Sequence, residues 1–505
     1  MRQQQGQVGP VVGDDPVLRR SEVRNPPGAY YRRVALGTLL PGAGLLGTRW
    51  RVLGAVMVAG ALVLGILLVV WVLRGDLVRS ALDLAVRPES LQWVALVLMV
   101  GAVLWIGSIV LTAQQSWPGS RGRRALQVGF AVLACVLVAA PSALAVRYLE
   151  VQGSVIDQVF AQDGAGEARE PGLADAGAED PWADVDRVNL LLIGSDAGKG
   201  RDGTRTDSLM VVSINPETGD TLLVGIPRNL ERVPIPDDNP LSTVWPNGYD
   251  CGDECLMNGI WTLAEGRPDL FPGVESPGRQ STMDVVGAVT GLEIDHSVVI
   301  NLQGFSALVD AMGGVEVNVK ERVCVDCSQR SDGSIRWTRG KPEWIEPGLQ
   351  RLDGKHALWY SRSRAGSDDF SRMRRQRCVA GALIQQADPV SLLARYPQVA
   401  AVVKDNVDVD VPTSQLPAWV DLVLRIQEGE SIRSLPLTSK VIDPVRPDFE
   451  EIQALVERSL TPKKPAASAS PTTGSTDTPT ESPTTEPSPS STPDDAEAEE
   501  LAATC

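Results

Sequence analysis

Histidine is almost missing from these 505 residues: there are two, His296 and His356. That scarcity excludes most His-ligated zinc hydrolases and leaves a Ser-His-Asp triad few candidates. Basic residues are also in deficit, 47 against 63 acidic ones, for a formal charge of −16. A nucleic-acid partner is therefore not expected. Aromatic residues make up only 5 %. The informative side chains are arginines and aspartates, and their spacing carries the reading. The length itself suggests two or three domains.

Long apolar runs are present, all near the start. Residues 52–73, 91–112 and 125–146 are each roughly 20 residues long and free of charge, which matches the bilayer core at helical rise. A buried core helix would explain any one of them; three in succession with charges between them read as transmembrane helices. Residues 34–48 are apolar but broken by Pro41 and glycines, and read as an interfacial or re-entrant segment. Arginines crowd the N-terminal arm (Arg19, Arg20, Arg24, Arg32, Arg33) and the second loop (Arg121, Arg123, Arg124), whereas the first loop balances Arg79 and Arg87 against Asp83 and Glu89. The positive-inside rule then puts the arm in the cytoplasm and everything after Arg147 outside.

The expected organisation is a cytoplasmic arm and interfacial segment (1–50), three spans (51–147), a linker rich in Gly, Ala and acid (148–184), a globular domain (185–460) and a disordered Thr/Ser/Pro-rich tail (461–505). Five cysteines fall in the globular part: Cys251, Cys255, Cys324, Cys327 and Cys378. Outside the membrane they read as disulfides, with a four-cysteine zinc site as the other reading. Their pairing is not deducible, and one thiol is left over unless Cys505 takes part.

The domain opens with apolar strands at 188–193, 209–214 and 221–226, the last two joined by the turn 215–220. Helical patterns follow near 257–265 and 282–290, and strands near 297–301 and 315–319. The expected class is α/β: a mixed sheet in a three-layer α-β-α domain. If the first three strands are antiparallel neighbours, Asp196, Arg205, Asp207 and Arg228 meet at one sheet edge. A second group lies at 357–376. Residues 358–364 read as a strand with Tyr360, Arg362 and Arg364 on one face. Asp368 or a neighbour then caps a helix carrying Arg372, Arg375 and Gln376 near its positive end. Two guanidinium groups about 6 Å apart repel by about 3 kcal/mol at an effective dielectric near 20, so three or more together need a multiply charged anion such as a pyrophosphate. Aspartates beside its oxygens suit Mg2+.

These segments carry a resemblance: NLLLIGSDAG (189–198), RTDSLMVVSINP (205–216), GIPRN (225–229), LVDAMGGVEV (308–317), PGLQRLDGKHALWYSRSR (347–364) and DDFSRMRRQRCV (368–379), in this order. The chain resembles the LytR-CpsA-Psr family of cell-wall ligases. The resemblance implies a membrane-anchored, Mg2+-assisted phosphotransferase that moves a phosphate-linked glycopolymer from a polyprenyl-pyrophosphate carrier to peptidoglycan. It implies Asp196 and Asp207 as metal ligands. Arg205, Arg228, Arg362, Arg364, Arg372 and Gln376 would hold the pyrophosphate, with Arg375 added from its place on the same helix. Asp369, with Arg372 beside it, would act on the reacting groups as base. A pyrophosphatase using the same site and a non-catalytic polyprenyl-lipid-binding regulator are the alternatives. Asn229 stands where the family often has Asp.

Overall fold

A computed structural model of the protein describes residues 27–74, 87–117, 124–161, 180–196, 205–338, 341–386, 399, 402–404, 406–429, 431–439, 441–461, 498–501 and 505. The chain divides into two units, residues 1–74 with 94–147, and residues 75–93 with 148–505.

The first unit holds α1 (Pro27–Leu39), α2 (Arg51–Arg74) and most of α3 (Pro88–Gln115) and α4 (Arg124–Val159), whose first and last turns respectively belong to the second unit. The last three are long and apolar enough to cross a membrane. They expose large apolar side chains such as Leu64, Leu67, Val103 and Leu137, as lipid-facing helices do. The broken apolar segment before them is α1 followed by a 3-10 turn, Ala43–Gly47. Tyr30, Val34 and Leu45 are fully buried. Gly42 has φ 83°, and a Cβ there would meet the backbone of Gly54, so only glycine lets this turn approach α2.

In the second unit the chain runs β1 (Phe160–Ala161), β2 (Val188–Ser195), β3 (Thr206–Ile214), β4 (Thr221–Ile226), α5 (Ile260–Glu265), α6 (Pro277–Thr290), β5 (His296–Asn301), α7 (Leu302–Met312), β6 (Val315–Val319), β7 (Val323–Val325), β8 (Cys327–Gln329), β9 (Ile335–Trp337), β10 (Glu343–Ile345), β11 (Gly348–Leu352), α8 (Gly354–Arg362), α9 (Asp369–Gln386), β12 (Val407–Pro412), α10 (Leu416–Glu428), β13 (Ile432–Pro436), α11 (Phe449–Leu460) and β14 (Glu499–Glu500). One mixed sheet has the order β1-β12-β5-β2-β3-β4-β13-β14. Strands β3 and β4 are antiparallel neighbours, as the turn between them predicts, β2 also pairs antiparallel with β3, and β5 joins β2 and β13 joins β4 in parallel.

Strand alternation divides the core into two layers. Leu191, Ile193, Leu209, Val211, Leu222 and Val224 pack on the side of α5, α6 and α11. Val188, Met210, Val212, Ile214 and Leu223 pack on the side of α10. Both faces being covered, the strands read as continuous apolar runs, which is the three-layer α-β-α arrangement.

Three expectations are corrected. Residues 358–364 are not a strand; they lie on α8 and just beyond it. Asp353 caps α8 by accepting from His356 N at 2.8 Å. Ala357 and Tyr360, three residues apart, are the buried pair. The run GKHALWYSR holds no β-branched residue to favour a strand. Residues 148–161 are not linker, because α4 continues to Val159 and β1 pairs with β12. Trp182 is also folded in, buried and donating from Nε1 to the Ala418 carbonyl at 3.0 Å. Of the tail, residues 462–497 lie outside the described residues, but the chain end returns to the sheet. Glu499 and Glu500 pair with Ser434 and Arg433 of β13, Leu501 is buried in the α10-side core, and Cys505 is bonded to Cys378 of α9.

A Cβ at Gly381 of α9 would collide with Leu501. Gly381→Val is expected to unseat the terminal segment and cost about 1–3 kcal/mol. Urea unfolding checks this through its midpoint, and an unchanged midpoint would show that Leu501 contributes nothing to the core.

Candidate active site

The register of the antiparallel strands determines what meets at their ends. Gly194 pairs with Ser208 and Ser195 with Thr206, so a bulge leaves Asp207 without a cross-strand partner. Bulges re-aim side chains at sheet rims, and here Asp207 points to Arg228. That arginine follows β4, which stops at Pro227 for want of an N–H. Arg228 Nη1 donates to Asp207 Oδ1 at 2.8 Å. Asp196 closes the end of β2: its Oδ1 accepts from Arg205 N at 3.0 Å and its own N–H donates to the Arg205 carbonyl at 3.1 Å.

Helix α9 brings the second group to this edge. Asp368 is its N-cap, with Oδ1 accepting from Ser371 N at 2.7 Å. The Ser371 hydroxyl and N–H hold the Asp368 carboxyl below its usual range. Capping is thereby done by Asp368, which frees Asp369 to face the arginines. Asp369 Oδ2 accepts from Arg372 Nη2 at 3.0 Å, and its Oδ1 lies 3.7 Å from both Arg228 Nε and Arg364 Nη1. Those last two separations are too long for hydrogen bonds.

Three guanidinium groups from three segments therefore surround one carboxylate. Arg372 is 5 % exposed. Burial pushes its pKa down to about 10, with Arg228 and Arg364 adding to the effect and Asp369 opposing it. Burial alone disfavours a cation, and a second and third cation disfavour it further. Three buried polar atoms of this corner have no hydrogen-bond partner: Arg228 Nε, Arg372 Nε and Asp369 Oδ1. Each such atom costs about 1–3 kcal/mol. Donors in excess at the centre of the group suit an anion with several oxygens.

Not every expected ligand is here. Arg205 is at the strand end, but its guanidinium is exposed and makes no ion pair among the described residues. Arg362 is exposed, its Cζ 5.6 Å from the Trp359 ring centroid. Arg375 is placed elsewhere. It is buried, donates from Nε to the Tyr360 carbonyl at 2.7 Å and from Nη2 to the Ser363 carbonyl, and pairs with Glu321 at 3.5 Å. Its three-residue offset from Arg372 turns it toward the end of α8, where it braces backbone carbonyls and does not reach the anion corner. Gln376 Nε2 likewise donates to the Ser361 carbonyl at 3.2 Å.

The two metal candidates Asp196 and Asp207 stand on adjoining strand ends. Among the described residues no group of three or more His, Cys, Asp or Glu forms a metal cluster. The cysteines are paired as Cys251–Cys255, Cys324–Cys327 and Cys378–Cys505, which removes the zinc reading.

Similar proteins match this part of the chain. Biofilm regulatory protein A of Streptococcus mutans is 24 % identical over 250 residues, covering 47 % of this chain and 54 % of its own length. The polyisoprenyl-teichoic acid–peptidoglycan teichoic acid transferase TagU of Oceanobacillus iheyensis is 27 % identical over 238 residues, 46 % of this chain and 62 % of its own. TagV of Bacillus subtilis, with the same description, is 26 % identical over 261 residues, 50 % and 55 % respectively. The chain thus spans less than two thirds of these relatives. Among solved structures, B. subtilis TagV matches at 21 % identity with a TM-score of 0.37, covering 54 % of this chain and 96 % of that one. The LytR_cpsA_psr family model matches residues 161–448, more than half of the sequence and all of the charged corner, and the chain belongs to that family.

Proposed function

We propose that this protein is a membrane-anchored phosphotransferase that moves a phosphate-linked glycopolymer from a polyprenyl-pyrophosphate carrier to peptidoglycan. One observation carries the reading: Arg228, Arg364 and Arg372, of which Arg372 is buried and Arg364 exposed, converge on Asp369 in a corner with unpartnered donors. The printed description of TagU and TagV as teichoic acid transferases to peptidoglycan supports it. Three disulfides in the second unit and the arginine bias around the spans support a domain outside the membrane.

In this reading the three arginines grip the pyrophosphate oxygens and neutralise charge that develops during transfer. Asp369 Oδ1, which carries no hydrogen bond, takes the proton of the attacking sugar hydroxyl. The new bond joins that hydroxyl oxygen to the glycan-bearing phosphorus. The bridging P–O bond breaks, its electron pair staying with the polyprenyl phosphate. Asp196 and Asp207, on adjoining strand ends, would supply the carboxylate oxygens that a hard cation such as Mg2+ takes. Such an ion would supply further neutralisation of phosphate charge.

Incubating the purified full chain with Mg2+, glycan-labelled polyprenyl-pyrophosphate donor and peptidoglycan tests the proposal. Label is expected in the peptidoglycan. Release of phosphate-capped glycan would replace transfer by hydrolysis, and intact donor after prolonged incubation would leave a lipid-binding protein.

A further inference from the structure

The ribbons between β6 and β11 hold a feature that the anion corner does not use. Strand alternation sends Val323, Val325 and Ile345 into a buried cluster, and turns Cys324 and Trp344 to the other face. Trp344 lies directly across from Cys324, and Trp337 directly across from Cys327. The Cys324–Cys327 disulfide therefore staples two ribbons, each with a tryptophan opposite its cysteine. The turn between them is pinned as well: Asp326 has φ 52°, and its carbonyl accepts from Thr338 N at 2.7 Å. The indole rings meet edge to face at 5.9 Å and 74°. Arg322 Cζ sits 4.0 Å from the Trp344 ring centroid. Both rings are partly exposed, and Trp337 Nε1 has no hydrogen-bond partner.

The stapled ribbons lie near the anion corner, linked to it through a buried contact. Cys327 Sγ is 3.8 Å from Ser363 Oγ, and Ser363 stands between Arg362 and Arg364. Arg364 in turn is the residue 3.7 Å from Asp369. A glycan attached to a pyrophosphate held at Arg364 starts beside these ribbons. A sugar ring offers an apolar C–H face and a border of hydroxyls. Rigid, partly exposed indoles match the first, while Trp337 Nε1 is itself buried and takes no part in the second. The guanidinium over Trp344 matches phosphate in the polymer.

We propose that Trp337 and Trp344, fixed by the Cys324–Cys327 disulfide, form the ledge that binds the first sugars of the donor glycopolymer. The proposal rests on the pyrophosphate-lipid reading above and names where that donor's glycan goes.

Binding to the full chain in detergent would be measured by calorimetry with three probes: farnesyl pyrophosphate, farnesyl-pyrophosphoryl-N-acetylglucosamine and chitotetraose. Trp337→Ala and Trp344→Ala are each expected to weaken the sugar-bearing lipid about tenfold and to leave farnesyl pyrophosphate unchanged. Trp344→Tyr should recover most of the loss, and it replaces the alanine variant should that one not fold. Equal weakening of both lipids, or of neither, would overturn the ledge and leave the rings as a cover for the disulfide. If the unaltered protein takes up neither lipid, the pyrophosphate reading fails separately. Chitotetraose binding that disappears in Trp337→Ala would then uphold the ledge, and binding indifferent to the substitution, or none, would overturn it.

Discussion

Arg372→Met is expected to abolish donor binding while leaving the free protein as stable as before, or more so. The guanidinium is buried beside two other cations, and burial has lowered its pKa to about 10 from the usual value. In the folded chain this group holds its proton less tightly than in the unfolded chain. Stability therefore carries a penalty at neutral pH, which is relieved as pH rises through about 10 toward the unfolded value. Methionine removes that penalty, keeps most of the aliphatic stem, and leaves Asp369 with Arg228 and Arg364 as neighbours. Loss of a buried charged partner for the bound anion should weaken binding about 30- to 5,000-fold, from about 2–5 kcal/mol. Titration of a polyprenyl-pyrophosphate donor, beside a thermal melt of the same sample, checks both halves. Unchanged affinity would remove Arg372 from the anion site.

Asp369→Asn should show the opposite signature. The amide keeps the shape of the carboxylate but removes its charge from the middle of three arginines, so a pyrophosphate meets less repulsion and binds as well or better. The proton acceptor is gone, and turnover should fall by about 10²–10⁴. Single-turnover transfer at saturating donor separates the two effects. Full turnover in this variant would end the assignment of Asp369 as base and leave it as a placeholder that keeps the arginines together in the absence of ligand.

The two variants bear on a corner that was legible in part. Antiparallel neighbours joined by a tight turn have few registers, so the meeting of Asp196, Asp207 and Arg228 at one strand end follows from the apolar runs and the turn residues. The helix after Asp368 was legible from its cap. Residues 358–364 were not, because alternation of large and charged side chains fits a strand as well as the short helix that Asp353 starts. The misreading matters for the site. As a strand, the segment would present Arg362 and Arg364 together; as the end of a helix and the extended residue beyond it, it sends Arg362 to Trp359 and Arg364 to Asp369. Arg375 shows the same limit, since an arginine three residues from another is a candidate ligand until the position of α8 turns it to backbone carbonyls.

From residue order alone came the three apolar spans, the mixed α/β class, the family motifs and the end of the sheet where charge gathers. Those depend on periodicity and local turn geometry, which act over a few residues. Tertiary packing decided which of the arginines share an anion, which cysteines pair, and that the distant chain end closes the sheet through Glu499, Leu501 and Cys505. The meeting of Arg228 with α9 and the return of the chain end rest on contacts between segments more than a hundred residues apart, where burial and side-chain direction, and no local pattern, set the outcome.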